Sequence, residues 1–263
     1  SLIASVVLAL TGIFLIYAGR ASAQVKSEAV RVITLSKSGY EQAHGLAFSS
    51  NGKYLAVGGQ SGIYVYDFQK LSEIDYIQTN TRSRSLAFLP GSETLAAGLF
   101  DNTIKFWEVP GTRLTKTIDG PTGWVRTISI SADGALIASA SDDEKLRVWR
   151  VQDGSSVLVI DKDTPGLRAA AISPDGKLAA GALGDNSVHV WSVPDGQLIY
   201  TLKGHTDWVR NLAFSPDGTL LASGSFDKNI LLWNMQDGNL DKTLKGHTSS
   251  ILSLAFSPDG KTL

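Results

Sequence analysis

The residues best suited to chemistry are His205, Ser223 and Asp227. A histidine between a serine and an aspartate could take a proton from the hydroxyl while the carboxylate orients the ring. Recurrence argues against that use. A triad needs one nucleophile that solvent reaches, and it occurs once. Here the same positions return along the chain in decaying form. Ser139 and Asp143 come back with Pro121 where the histidine would stand. Asp185 comes back with Asp163 for the histidine and Gly181 for the serine, Asp101 recurs without either, and His247 opens one more copy. There is no cysteine, which excludes thiolate metal sites, disulfides and cysteine catalysis. No zinc-ligand spacing, phosphate-binding loop or recurring carboxylate pair is present either. The expectation is a protein without enzymatic activity, metal or cofactor.

A second set of residues points to binding. Arg84, Arg126, Arg168 and Arg210 are spaced by 42 residues, each four before the end of an apolar run, with His44 and Leu252 at the outlying equivalents. Two residues before each arginine stand Arg82, Trp124, Gly166 and Trp208, with Gln42 and Ser250 beyond them. The residue before the recurring turn aspartate is Phe100, Asp142, Gly184 or Phe226. Arginine and tryptophan are the side chains that most often anchor interfaces, and arginine suits carboxylates. A second reading makes the arginines a relic of duplication, solvated or paired with loop acids such as Asp207. The tryptophans fit packing between repeats equally well.

These positions depend on a repeat. Trp107, Trp149, Trp191 and Trp233 lie 42 residues apart, preceded by Tyr66 at a spacing of 41. Phe48, Phe88, Ile130, Ile172, Phe214 and Phe256 end the first apolar run of each copy. A fixed period of this size marks repeated supersecondary units. In the fifth copy strands are expected at about 208–214, 219–224, 229–234 and 240–244. The first two are separated by Ser215-Pro216-Asp217-Gly218, in which Pro pre-sets the turn and Gly takes positive φ. That turn recurs intact at Ser173–Gly176 and Ser257–Gly260, and in altered form at 131–134 and 49–52. Four short strands per copy suggest radially packed antiparallel sheets.

On the aromatic strand ends, the Gly204-His205 and Gly246-His247 pairs and the turn series, residues 30–263 resemble the WD-repeat (WD40) family. The resemblance implies an all-β propeller of four-stranded blades. It divides the chain into repeats at about 36–78, 79–120, 121–162, 163–204 and 205–246, with a partial sixth at 247–263. Family propellers most often have seven blades, so residues 30–35 would be the closing strand of a last blade. The resemblance also implies that His205, Ser223, Asp227 and Trp233 form a structural hydrogen-bond tetrad. Partial versions would then use Ser139, Asp143 and Trp149, Asp185 and Trp191, Asp101 and Trp107, and His247. Equivalent positions on such a ring converge, which would put the arginines near the mouth of a central channel. Together with Arg82, His44, Trp124, Trp208, Phe100 and Phe226 they would form the partner-contact face.

Composition narrows the partner. The formal net charge is −1, which gives no field to attract nucleic acid. A protein or peptide ligand, acidic in character, is expected. Residues Ser1–Gly19 carry no charged side chain, and Arg20 and Ala21-Ser22-Ala23 follow. Such a run reads as an apolar helix over residues 1–23, either a signal peptide cut after Ala23 or an uncleaved membrane anchor, with a buried helix as a third reading. Residues 24–29 are a linker, and the propeller is placed outside the cytoplasm. The rival functions are a docking propeller within a larger signalling or catalytic chain, and a propeller hydrolase.

Overall fold

The computed structural model describes residues 43–161 and 164–263, together with the backbone of three earlier strands, Ala4–Leu8, Ile13–Ala18 and Arg31–Thr34. These three pair antiparallel in that order. Within the stretch expected as an apolar helix, the described parts are therefore strands, in keeping with their many Val and Ile residues. The rest of residues 1–23, and the linker at 24–29, lie outside the described residues. Among the described residues no helix is long and apolar enough to cross a membrane. Arg31–Thr34, expected as the closing strand of a last blade, pairs here with Ile13–Ala18.

From residue 45 the chain forms five four-stranded antiparallel sheets, each with its strands a to d in sequence order. Blade one is Gly45–Phe48, Tyr54–Gly58, Gly62–Asp67 and Ser72–Gln78. Blade two is Ser83–Phe88, Thr94–Leu99, Thr103–Glu108 and Leu114–Asp119. Blade three is Val125–Ile130, Leu136–Ser141, Leu146–Arg150 and Ser156–Ile160. Blade four is Ala169–Ile172, Leu178–Ala182, Val188–Ser192 and Leu198–Leu202. Blade five is Val209–Phe214, Leu220–Ser225, Ile230–Asn234 and Leu240–Leu244. Residues 251–256, expected as the first strand of a sixth blade, make no ladder. The turn Ser257–Gly260 does form, with Ser257 N–H bonded to Thr262 O at 2.8 Å.

The a–b turn is built alike in four blades and in the sixth repeat. In blade five the Ser215 hydroxyl meets Asp217 Oδ1 at 2.5 Å and accepts the Leu220 N–H at 2.9 Å. The Asp217 carboxylate accepts the Thr219 N–H at 3.0 Å, and Gly218 supplies φ of 72°. The short polar side chains thus satisfy the turn's own backbone.

The apolar core lies between blades. Trp233 of blade five is buried with Val188, Val190 and Leu202 of blade four, and Trp191 with Leu146, Val148 and Ile160 of blade three. Trp149 and Trp107 repeat the arrangement against blades two and one. Each tryptophan therefore fastens its blade to the preceding one. The a strands lie side by side in chain order, and hydroxyls bridge some of them. Ser85 accepts the Ile128 N–H at 2.9 Å, and Thr127 accepts the Ala170 N–H at 2.8 Å. Blade four, whose a strand is Ala-Ala-Ala-Ile, offers no hydroxyl to blade five.

Candidate functional site

One end of each blade gathers the d–a loop, the start of strand a and the b–c turn, because the antiparallel order returns the chain there twice. In blade five this end holds His205, Ser223, Asp227 and Trp233 together. His205 Nδ1 lies 2.8 Å from Asp227 Oδ2, and Nε2 lies 2.8 Å from Ser223 Oγ. Trp233 Nε1–H donates to the same hydroxyl at 2.8 Å. Asp227 also accepts N–H bonds from Thr206 at 3.0 Å and Asn229 at 2.9 Å. Burial pushes the Asp227 carboxyl up, but those two N–H groups and the histidine outweigh it and hold the pKa below the usual range. Ser223 has 0% exposure, so its hydroxyl presents no nucleophile to a substrate. Gly204 packs closely beside it: a Cβ there would stand 3.1 Å from the Trp233 ring edge and 3.0 Å from Leu231, so one of them would have to shift.

Blades two and three place a different cation at the turn aspartate. In blade three Trp149 Nε1–H still reaches Ser139 Oγ at 3.0 Å, and Thr122 N–H still reaches Asp143 at 2.8 Å. With Pro121 in the loop, Arg147 supplies the charge from strand c, bonding Asp143 at 2.8 and 3.0 Å with both side chains buried. Burial raises the Asp143 pKa, yet the Arg147 bonds and charge and the Thr122 N–H bring it down to about 2. In blade two Lys105 bonds Asp101 at 2.7 Å beneath a buried Trp107. In blade four the Ser187 hydroxyl does most to lower the Asp185 pKa, and the charge of His189 adds to it. Lys105, Arg147 and His189 all stand four residues after their aspartate, where blade five has Leu231. His247, expected in a sixth partial set, is exposed and makes no such cluster.

The arginines begin strand a at this same end. Arg84, Arg126 and Arg210 each fall where the a–b register slips, so each is the extra residue of a β-bulge. A bulge re-aims a side chain out of the alternating pattern. Arg168 sits just before its strand, its N–H bonded to Ala182 O at 2.9 Å, and His44 N–H is bonded likewise to Gly58 O at 2.8 Å. Backbone bonds then clip the two neighbouring positions together. Phe100 N–H reaches Arg82 O at 3.1 Å, Asp142 N–H reaches Trp124 O at 3.0 Å, and Phe226 N–H reaches Trp208 O at 2.9 Å.

Side chains on these positions form two ladders. Trp124, 48% exposed, stacks on Phe100 of blade two with centroids 4.6 Å apart and planes at 8°. Arg82 lies 5.2 Å over the same phenyl ring and bonds Gln60 at 3.2 Å. Trp208, 44% exposed, has Phe226 at 6.2 Å, while Arg168 of blade four lies 4.4 Å over its indole. Between the ladders Arg126 makes a two-pronged ion pair with Asp142. The tryptophans thus contact adjacent blades and stay accessible too. Asp207, the acid suggested for pairing, is engaged elsewhere, its Oδ1 by the Trp208 N–H at 2.7 Å and its carbonyl by the Ser225 hydroxyl at 2.8 Å. Sequence reading missed the acid that does pair, Asp142, and the cation four residues after each turn aspartate. An Asp-x-x-x-Lys/Arg/His spacing was the available signal for the latter.

The family model described as WD domain, G-beta repeat matches residues 77–108, 112–150, 154–192, 196–234 and 238–263. Each full match runs from the d strand of one blade through strand c of the next. A comparison with curated proteins found no match.

Proposed function

The chain belongs to the WD40 repeat family, and from that premise we propose that it is a non-enzymatic scaffold that takes a protein or peptide partner on its arginine–tryptophan face. WD40 repeats imply a protein-interaction scaffold, and such domains generally bind protein partners. The observation that carries the finer reading is the pair of half-exposed tryptophans at one end of the blades: Trp124 stacks on a phenylalanine that itself carries Arg82, and Trp208 lies under Arg168 with Phe226 beside it. A large apolar ring held rigid in water loses little entropy on binding, and a cation beside it adds attraction for acidic groups. The partner is read as acidic, from the arginines on that face.

Pull-down by the wild-type chain and by Trp124→Ala/Trp208→Ala and Arg126→Glu/Arg168→Glu variants, read by mass spectrometry, tests this. A protein recovered by the wild type and lost from both variants, while each variant still melts cooperatively, supports the face; the exposed tryptophans in particular should cost little stability. Equal recovery from all three sinks it, and a loss of folding in step with binding makes those residues structural. We further place the face outside the cytoplasm, on the strength of the uncharged run Ser1–Gly19 and the Ala21-Ser22-Ala23 triplet. Residues 1–40 fused to a phosphatase that is active only after export should give activity. An inactive, expressed fusion would overturn that placement.

A further inference from the structure

Blade three shows how a carboxylate meets one of these arginines. Arg126 opens strand a, Asp142 stands across from it in the b–c turn, and the two join through both guanidinium prongs. That arginine is already neutralised from within. Blade four repeats the arginine without the acid: Arg168 is present, but the position of Asp142 is Gly184 and that of Trp124 is Gly166. The two glycines are in close contact, a Cβ on Gly166 falling 2.9 Å from Gly184 Cα, so no side chain rises from either position. Trp208 stands on the blade-five side of the resulting notch, with the Arg168 guanidinium carbon 4.4 Å over its indole. A guanidinium held over an aromatic ring can still donate hydrogen bonds from its N–H groups. Arg168 Nε is buried without a partner among the described residues. One strand over, Arg210 is the bulged residue that opens the neighbouring strand a, and it is partly buried, which pulls its pKa below the usual value.

We infer that the notch over Gly166 and Gly184 is the subsite for one carboxylate side chain of an acidic peptide, which takes on Arg168 and Arg210 the place that Asp142 fills on Arg126. The inference rests on the partner-face reading and adds to it the ligand chemistry and the half of the face that uses it. Arg126 contributes little, because its own acid occupies it. Replacing Gly184 by aspartate would put an acid and its bulk at the subsite, with a Cβ 3.0 Å from Pro165 O and 3.2 Å from Gly166 Cα, and shut it. Replacing Asp142 by glycine would open a second one.

The probe is a fluorescein-labelled peptide of alternating glutamate and glycine, titrated into the full chain by anisotropy. Its glutamine counterpart and a phosphoserine counterpart are the controls. Charge-assisted hydrogen bonds are strong enough that Arg168→Ala and Arg210→Ala should each weaken binding by about tenfold or more, and Arg126→Ala by less than about twofold. Gly184→Asp should abolish binding. Asp142→Gly, which adds no bulk, should raise the stoichiometry from one to two and guards against misfolding of the aspartate variant. Undiminished binding by Gly184→Asp, or equal losses from Arg126→Ala and Arg168→Ala, would overturn the notch. Binding of the glutamine peptide at the same strength, binding of the phosphoserine peptide alone, or no binding of the glutamate peptide would overturn the carboxylate assignment. None of these results touches the partner-face reading, which stands or falls on the pull-down.

Discussion

In blade five the carboxylate of Asp227 meets a histidine from the loop before strand a, whereas in blade three Asp143, at the same place, meets an arginine from strand c. The surrounding frame is shared. A threonine N–H reaches each carboxylate, at 3.0 Å from Thr206 and 2.8 Å from Thr122. A serine hydroxyl reaches back to the loop carbonyl in both, Ser225 to Asp207 and Ser141 to Gly123. An indole N–H caps a buried serine in both. What differs is how the charge of the aspartate is answered. Histidine links aspartate, serine and tryptophan in one chain of bonds. Arginine leaves Ser139 to Trp149 alone and makes a buried ion pair beside it. The comparison teaches that the fold conserves a satisfied carboxylate under the b–c turn rather than a particular residue, because an unanswered buried charge is what it cannot hold.

The shared frame is the first thing to break. Trp233→Ala and Trp149→Ala should each cost roughly 3–5 kcal/mol, since each removes a buried indole packed between two blades. Urea unfolding at neutral pH reads the loss. A cost below about 1 kcal/mol in one blade only would show that the frames are not equivalent.

Next comes the cation. Arg147→Leu installs the blade-five residue on strand c, leaves Asp143 buried without its partner, and should cost about 3 kcal/mol. Adding Pro121→His should recover much of that by rebuilding the histidine link, and no recovery would refute the equivalence of the two solutions. The pair also sets an acid limb. The folded pKa of Asp143 is about 2, below its unfolded value. Its contribution is therefore present above that unfolded value and lost as pH falls from about 4 toward 2. Arg147→Leu should flatten stability across that window, and His205→Ala should leave the loss attributable to Asp143 in place. His205→Ala itself should cost less, about 1–2 kcal/mol, because Asp227 keeps its two backbone N–H donors while Ser223 loses one partner. Thermal melts of the single variants give that order directly.

The repeat, its strand count and the turn chemistry were legible in the sequence because each rests on local residues at a fixed period. His205, Ser223, Asp227 and Trp233 were legible for the same reason. The substitute cations were not, since alignment of repeats compares like positions, and Lys105, Arg147 and His189 answer their aspartates from a position that blade five fills with Leu231. The bulges at Arg84, Arg126 and Arg210 leave the apolar alternation of strand a intact, so nothing local announces them. Asp142 escaped notice because it was read as a partner-facing residue, while the acid sought for the arginines was Asp207. The sixth repeat shows the opposite limit. Its sequence matches the others through Phe256 and the turn, yet a strand exists only where another strand receives its hydrogen bonds.

The smallest effect separates the same two blades at the tip of the b–c turn. Lys228 and Glu144 both hold left-handed backbone, at φ of 72° and 62°, which costs a side-chain-bearing residue energy that glycine avoids. Lys228→Gly should therefore stabilise by a few tenths to about 1 kcal/mol, since the strain it relieves exceeds the added freedom of the unfolded chain. Glu144→Gly relieves the same strain but removes the carboxylate that accepts the Gly166 N–H at 3.1 Å. The two terms should cancel, leaving blade three unchanged within error. Equal gains at both sites in paired thermal melts would mean that the Glu144 contact to the blade-four loop contributes nothing, and that the two turns differ only in name.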